Sequence, residues 1–74
     1  MQQTDPILPW YSDARLVSPE ATAYDVALKD CVRRWDRLTP LERARAFIVI
    51  EKDGRTLMPA DLTRIVSSPE YLSV

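Results

Sequence analysis

Histidine is absent from this 74-residue chain, and cysteine and glycine occur once each. Without histidine the chain has no Ser-His or Cys-His nucleophile pair, and the usual zinc ligand sets cannot be assembled. The single cysteine, Cys31, excludes an intrachain disulfide, and a single glycine excludes a glycine-rich phosphate loop. The eleven carboxylates mostly have an arginine or lysine within four positions, as solvated ion pairs do. We therefore expect no catalytic residue, no metal, no cofactor and no enzymatic activity.

Long hydrophobic segments are also missing. The longest apolar run, AFIVI at 46–50, is far too short to span a bilayer, and the amino terminus lacks the basic and apolar regions of a signal peptide. One unpaired cysteine agrees with a reducing compartment. The sequence therefore predicts a cytoplasmic protein with no membrane partner.

The composition is that of an ordinary folded protein. Apolar residues make up 46% of the chain and charged residues 28%, with a formal net charge of −1. A chain of this length has room for one hydrophobic core, and about 3–5 kcal/mol of net stability is typical at this size. We expect a single domain, 1–74.

A first helix is predicted over 19–37. Ser18-Pro19-Glu20 is a typical helix start, with a serine cap, proline at the first helical position and an acid in the first turn. Apolar residues then recur at three- and four-residue steps. They are Tyr24, Ala27, Leu28, Cys31, Val32, Trp35 and Leu38. Cys31 lies within this stripe, which indicates a small buried side chain rather than a nucleophile.

A capping box, Thr39-Pro40-Leu41-Glu42, predicts a second helix from 40 to about 52. The alternative is a β-hairpin with strands 47–51 and 55–58, because FIVI is rich in β-branched residues and Asp53-Gly54 favours a tight turn. We favour the helix because an isolated two-stranded hairpin is only marginally stable. Pro59 then opens a third helix that ends near Ser67, and Ser68-Pro69-Glu70 starts one last turn.

These elements predict an all-α fold: a small bundle of three helices plus a short C-terminal turn. Residues 1–17, with Pro6 and Pro9, form an extended N-terminal arm on a helical core, 18–74. The alternative is an α+β fold with the hairpin at 47–58. The expected core contains Leu28, Cys31, Val32, Trp35, Leu41 and Ile48.

Positive charge collects only in residues 29–45, where six basic and three acidic residues leave a net charge of +3. The candidate partner-binding residues are the arginines of this patch and two aromatic residues of the arm: Trp10, Tyr11, Arg33, Arg34, Arg37, Arg43 and Arg45. Two interpretations of Trp10 and Tyr11 remain open. They enlarge the core by lying across a groove, or they anchor a partner as interface aromatics do.

The sequence therefore predicts a small protein–protein interaction module, such as a regulatory or inhibitory subunit, including one of phage or mobile-element origin. The expected partner is a protein with an acidic surface, and a homo-oligomer is also compatible. The alternative is a nucleic-acid-binding protein that uses the 29–45 patch and a helix-turn-helix-like unit at 40–67. We favour the first because three acids interrupt the basic patch, and because Arg64 is the only cation in the would-be reading helix.

Overall fold

A four-stranded antiparallel sheet with four helices forms the fold in a computed structural model, which describes residues 8–19 and 22–73. The elements follow the chain as β1 Asp13–Val17, β2 Thr22–Ala27, α1 Leu28–Asp36, α2 Pro40–Arg45, β3 Phe47–Ile50, β4 Thr56–Leu57, α3 Pro59–Val66 and α4 Pro69–Ser73. The strand order is β2-β1-β3-β4, so the first strand lies in the interior of the sheet. The protein is therefore α+β, and the prediction of an all-α helical bundle is wrong.

The predicted first helix was wrong over its first half. Residues 22–27 form β2 antiparallel to β1, and the helix begins only at Leu28. Thr22, Tyr24 and Val26 favour strands and recur at every second position, which is the spacing of a β-strand. Tyr24 also belongs to the helical spacing that continues through Ala27 and Leu28, so the same segment matches both patterns. The expected helix start at Ser18 instead follows β1, and its Glu20 lies outside the described residues.

The N-terminal arm is not a separate segment. Its residues 13–17 are β1, which pairs with β2 on one side and with β3 on the other. Just before β1, the carbonyl oxygens of Ser12 and Trp10 accept hydrogen bonds from the backbone N–H groups of Leu28 and Lys29, at 2.8 and 2.9 Å. The arm therefore supplies acceptors for the first donors of α1, which has no side-chain cap. Residues 1–7 of the predicted arm lie outside the described part.

The second helix ends at Arg45 rather than near 52, and the hairpin alternative over 47–58 is confirmed. Thr39 Oγ1 accepts from the Glu42 N–H and Glu42 Oε1 from the Thr39 N–H, so the predicted capping box forms. We favoured the helix because an isolated hairpin is only marginally stable. This hairpin is not isolated, because β3 also pairs with β1 and so belongs to a larger sheet. The connection is longer than a two-residue turn, and Gly54 closes it with a φ of 71°.

The core lies between one face of the sheet and the helices. Ala14, Leu16, Ile48 and Ile50 are buried on the sheet, at alternate positions of β1 and β3. The helices contribute Leu28, Cys31, Val32, Trp35 and Leu62. Of the six expected core residues, only Leu41 is misplaced, since its side chain is 63% exposed on the short helix α2.

The third helix and the last turn form where the sequence predicts them. In α4, the Tyr71 N–H donates to Ser68 Oγ at 3.2 Å, which satisfies one of the first donors of the turn. No helix of the described residues has the length and apolar character needed to cross a bilayer.

Candidate functional site

The exposed side of α1 carries most of the predicted partner-binding arginines. Lys29, Arg33 and Arg37 follow one another at four-residue steps, so they lie along one side of the helix. Arg34 is exposed next to this row, and Tyr11 lies at its N-terminal end. We call these five residues the α1 basic face.

Tyr11 is the aromatic residue that reaches the surface. Its side chain is 72% exposed, and the Lys29 ammonium group lies 5.7 Å from the centre of its ring. A cation at this distance over an aromatic face is favourable and holds the two groups together. The arrangement pairs an exposed aromatic ring with a positive charge at one end of α1.

Trp10, the other aromatic candidate, lies in the core. It is only 5% exposed, and its ring centroid is 6.0 Å from that of Tyr71. This is the position expected of a side chain that enlarges a small core. A contact between Trp10 and a partner stays a prediction, and we leave this residue out of the α1 basic face.

The charges of α1 are only partly balanced by its own acids. Asp30 Oδ1 lies 3.5 Å from both Lys29 Nζ and the guanidinium nitrogen Nη1 of Arg33, and Asp36 Oδ1 lies 3.7 Å from Nη1 of Arg43. Within the described residues, neither Arg34 nor Arg37 takes part in a salt bridge. These two guanidinium groups are therefore the ones most available to the carboxylates of another molecule.

Arg43 and Arg45 belong to α2 and differ in their surroundings. The Arg43 guanidinium lies 5.7 Å from the centre of the Trp35 ring and donates to the backbone oxygen of Asp36 at 3.4 Å. These contacts tie Arg43 to its own fold. Arg45 is exposed at the end of α2. The structure thus places Arg33 and Arg34 on α1 and Arg37 directly after it, with Tyr11 beside the first turn of this helix. The other two arginines lie on a second helix, α2.

Tyr71 is a neighbour of the α1 basic face that the sequence analysis did not single out. Burial raises the pKa of its hydroxyl, and Asp36 adds to this rise, whereas Arg33 and Arg37 act in the opposite direction. The hydroxyl therefore lies in the electrostatic field of three charged residues from the C-terminal half of α1. The only signal in the sequence was its position in the turn that Ser68-Pro69 starts.

The single cysteine of the chain is not available as a nucleophile at this surface. Cys31 lies beneath the basic face in the core, and burial raises the pKa of its thiol from 9.0 to about 11. Such a thiol is almost entirely protonated at neutral pH and is a poor nucleophile. Among the described residues, no three cysteine or acidic side chains lie close enough together to hold a metal ion.

No family model, curated protein or solved structure matches this chain at a significant level. The functional argument therefore rests on the geometry of the surface.

Proposed function

We propose that this protein is a non-enzymatic interaction module that binds an acidic surface of another protein through the α1 basic face. The observation that carries the proposal is the pair Arg34, on α1, and Arg37, directly after it, both exposed and without a salt bridge in the described part. The same helix begins beside the exposed ring of Tyr11. Exposed cations speed the encounter with a negative surface, whereas aromatic residues supply the slow dissociation. A cytoplasmic setting is part of the proposal and rests on the single cysteine.

The nucleic-acid alternative depended on a helix-turn-helix unit that the structure does not contain at residues 40–67. Strands β3 and β4 separate α2 from α3, so residues 40–67 do not form the predicted helix-turn-helix unit. What remains is the charge of α1, which could contact phosphates without base recognition. Of the two alternatives, a protein partner fits better because Asp30 and Asp36 lie among the cations and would repel a continuous phosphate backbone.

Affinity capture from a nuclease-treated native extract at moderate salt tests the proposal. We expect the parent protein to retain a partner and the double variant Arg34→Gln with Arg37→Gln to lose it. The matched control is Lys52→Gln with Arg64→Gln, which removes the same charge from other surfaces and should retain the partner.

Binding to a DNA duplex distinguishes the alternative. If the arginines contact phosphates, duplex affinity should fall steeply with salt, and the logarithmic slope should shrink by about 0.9 for each contact removed. Micromolar duplex binding that Arg34→Gln with Arg37→Gln abolishes, together with loss of the captured partner after nuclease treatment, would contradict the proposed function.

A further inference from the structure

The connection between β3 and β4 contains the one Asp-Gly pair of the chain. Gly54 is the single glycine, and Asp53 precedes it directly. Both residues are exposed, and the Asp53 side chain retains 50% of its accessible surface. A Cβ built at Gly54 would meet no atom within 4 Å, so the space beside this part of the backbone is open. The pair therefore lies in contact with water.

An aspartate that precedes a glycine can rearrange without an enzyme. The Gly54 nitrogen attacks Cγ of Asp53, a new N–Cγ bond forms, and the proton of the nitrogen leaves with the carboxyl hydroxyl group as water. The product is a succinimide ring. Water then opens this ring, and opening at the backbone carbonyl leaves a main chain that runs through Cγ, which is an isoaspartate. Glycine favours the attack because it has no side chain to obstruct its nitrogen.

In the closed hairpin, both reacting groups take part in other bonds. The Gly54 N–H donates to the carbonyl oxygen of Ile50 at 2.8 Å. Asp53 Oδ1 accepts a hydrogen bond from the Arg55 N–H at 2.9 Å, and Oδ2 lies 3.9 Å from Arg55 Nε. The attack needs a nitrogen released from Ile50 and a carboxyl group turned away from Arg55. The closed connection therefore opposes the rearrangement.

This connection can open without unfolding of the core. Strand β4 has only two residues and lies at an edge of the sheet, where Leu57 pairs with Ile48 and Thr56 with Val49. The Ile50 N–H donates to the Arg55 carbonyl oxygen at 2.8 Å, which closes the hairpin beside them. A short edge strand with few backbone bonds opens at a lower free energy than the centre of a fold.

We infer that Asp53 is a site of spontaneous modification, which the closed hairpin protects and which converts to isoaspartate when β4 separates from β3. The main chain of the product is one atom longer, so it no longer fits the original connection. Conversion therefore weakens the β3–β4 pairing in the molecules that it affects. The α1 basic face lies on other elements, so this inference is independent of the proposed function.

Peptide mapping of aged protein tests the inference. The parent protein is incubated at one pH and temperature, in native buffer and in guanidinium chloride, and mass spectrometry with electron-transfer fragmentation distinguishes isoaspartate from aspartate. We expect isoaspartate at position 53 to accumulate several-fold faster in the unfolded chain. Asp13, Asp36 and Asp61 are internal controls and should stay unchanged in both samples, because the residue after each of them carries a side chain.

A pair of glycine variants tests whether local opening of the hairpin exposes the site. Thr56→Gly weakens β4, because glycine disfavours strands, and should speed conversion several-fold in native buffer. The matched control Thr63→Gly makes the same replacement on an exposed position of α3. It weakens the helix but spares the hairpin, so conversion should stay at the parent rate. Circular dichroism shows whether each variant is folded.

If Thr56→Gly does not fold, Asp53→Asn provides a second measurement. Asparagine keeps an oxygen that accepts from the Arg55 N–H, and it forms the same ring with loss of ammonia. Its conversion should also be several-fold slower in native buffer than in guanidinium chloride. Equal rates in the two solvents would overturn the inference, as would an unfolded chain that keeps Asp53 unchanged. Equal acceleration by folded Thr56→Gly and Thr63→Gly would do the same.

Discussion

The indole Nε1 of Trp35 donates a hydrogen bond to the backbone oxygen of Arg43 at 3.2 Å. This bond joins α1 to α2, and the Arg43 guanidinium lies against the same ring. Trp35 is only 2% exposed, so one side chain fills the core and also fixes the position of a neighbouring helix.

Replacing Trp35 should separate these two roles. Trp35→Ala should lower the free energy of unfolding by about 3–5 kcal/mol, which at this chain length is close to the whole stability. Trp35→Phe keeps much of the buried area but removes the donor to Arg43, and we expect a loss of about 1–3 kcal/mol. Urea denaturation followed by circular dichroism measures both. An alanine variant as stable as the phenylalanine variant would contradict the proposed roles.

Gly54 should resist replacement for a reason confined to the backbone. Its φ of 71° lies in the left-handed region, and an added Cβ would meet no atom within 4 Å. Gly54→Ala should therefore cost about 1 kcal/mol through backbone strain alone. Gly54→Asn should cost less, because asparagine tolerates this conformation. Thermal melts of the two variants provide the comparison, and equal losses would argue against the backbone explanation.

Cys31 should make the folded state less stable at high pH. Burial raises the pKa of its thiol to about 11, whereas the unfolded thiol ionises near its usual 9.0. Between these values the unfolded chain releases a proton that the folded chain keeps, so stability falls as the pH rises from about 9 to about 11. Other groups titrate in the same range. The measurement is therefore the difference in unfolding free energy between the parent and Cys31→Ala, which should narrow as the pH rises.

Tyr11 provides the cleanest test of the proposed interface, because truncating its exposed side chain spares the core. Tyr11→Ala should weaken binding to the captured partner by about 2 kcal/mol or more, chiefly through faster dissociation, whereas Arg34→Gln should mainly slow association. Surface plasmon resonance separates the two rates. Trp10→Ala is unsuitable for this purpose because Trp10 is buried and its loss would affect folding. A Tyr11→Ala variant with unchanged dissociation would remove Tyr11 from the interface.

The sequence predicted those elements whose signals are local. Thr39 and Glu42 form their capping box, α3 starts at Pro59, and the stripe from Leu28 to Trp35 is the buried side of α1. Each depends on residues within a few positions of one another, which proline and capping rules describe well. The C-terminal turn at Pro69 belongs to the same class.

Apart from the hairpin alternative at 47–58, the sheet escaped prediction because its stability depends on residues far apart in the chain. Phe47 to Ile50 favours strand locally, but the decisive partner of this strand is β1, which was assigned to an extended arm. The sequence of β2 matches both the two-residue spacing of a strand and the three- to four-residue spacing of a helix. Pairing with β1 decides in favour of the strand.

The positions of the candidate residues were predicted in part. The arginines of α1 follow from helical spacing, and the burial of Trp10 was one of the two interpretations that the sequence left open. The contact between Trp10 and Tyr71 depends on how α4 packs, which no local pattern predicts.

The interior position of β1 also determines the order in which the fold can assemble. Ala14 pairs with Val26 nearby and with Ile50, 36 positions further on. Bringing β1 and β3 together reduces the conformational entropy of the chain between them before the strand contacts contribute any stability. Folding should therefore be slower than for a helical bundle of equal length. During synthesis the β1–β2 hairpin and α1 emerge first, with one side of β1 still unpaired. Until Phe47–Ile50 arrives, the nascent chain exposes an open strand edge, which makes this stage the one most prone to aggregation and chaperone binding.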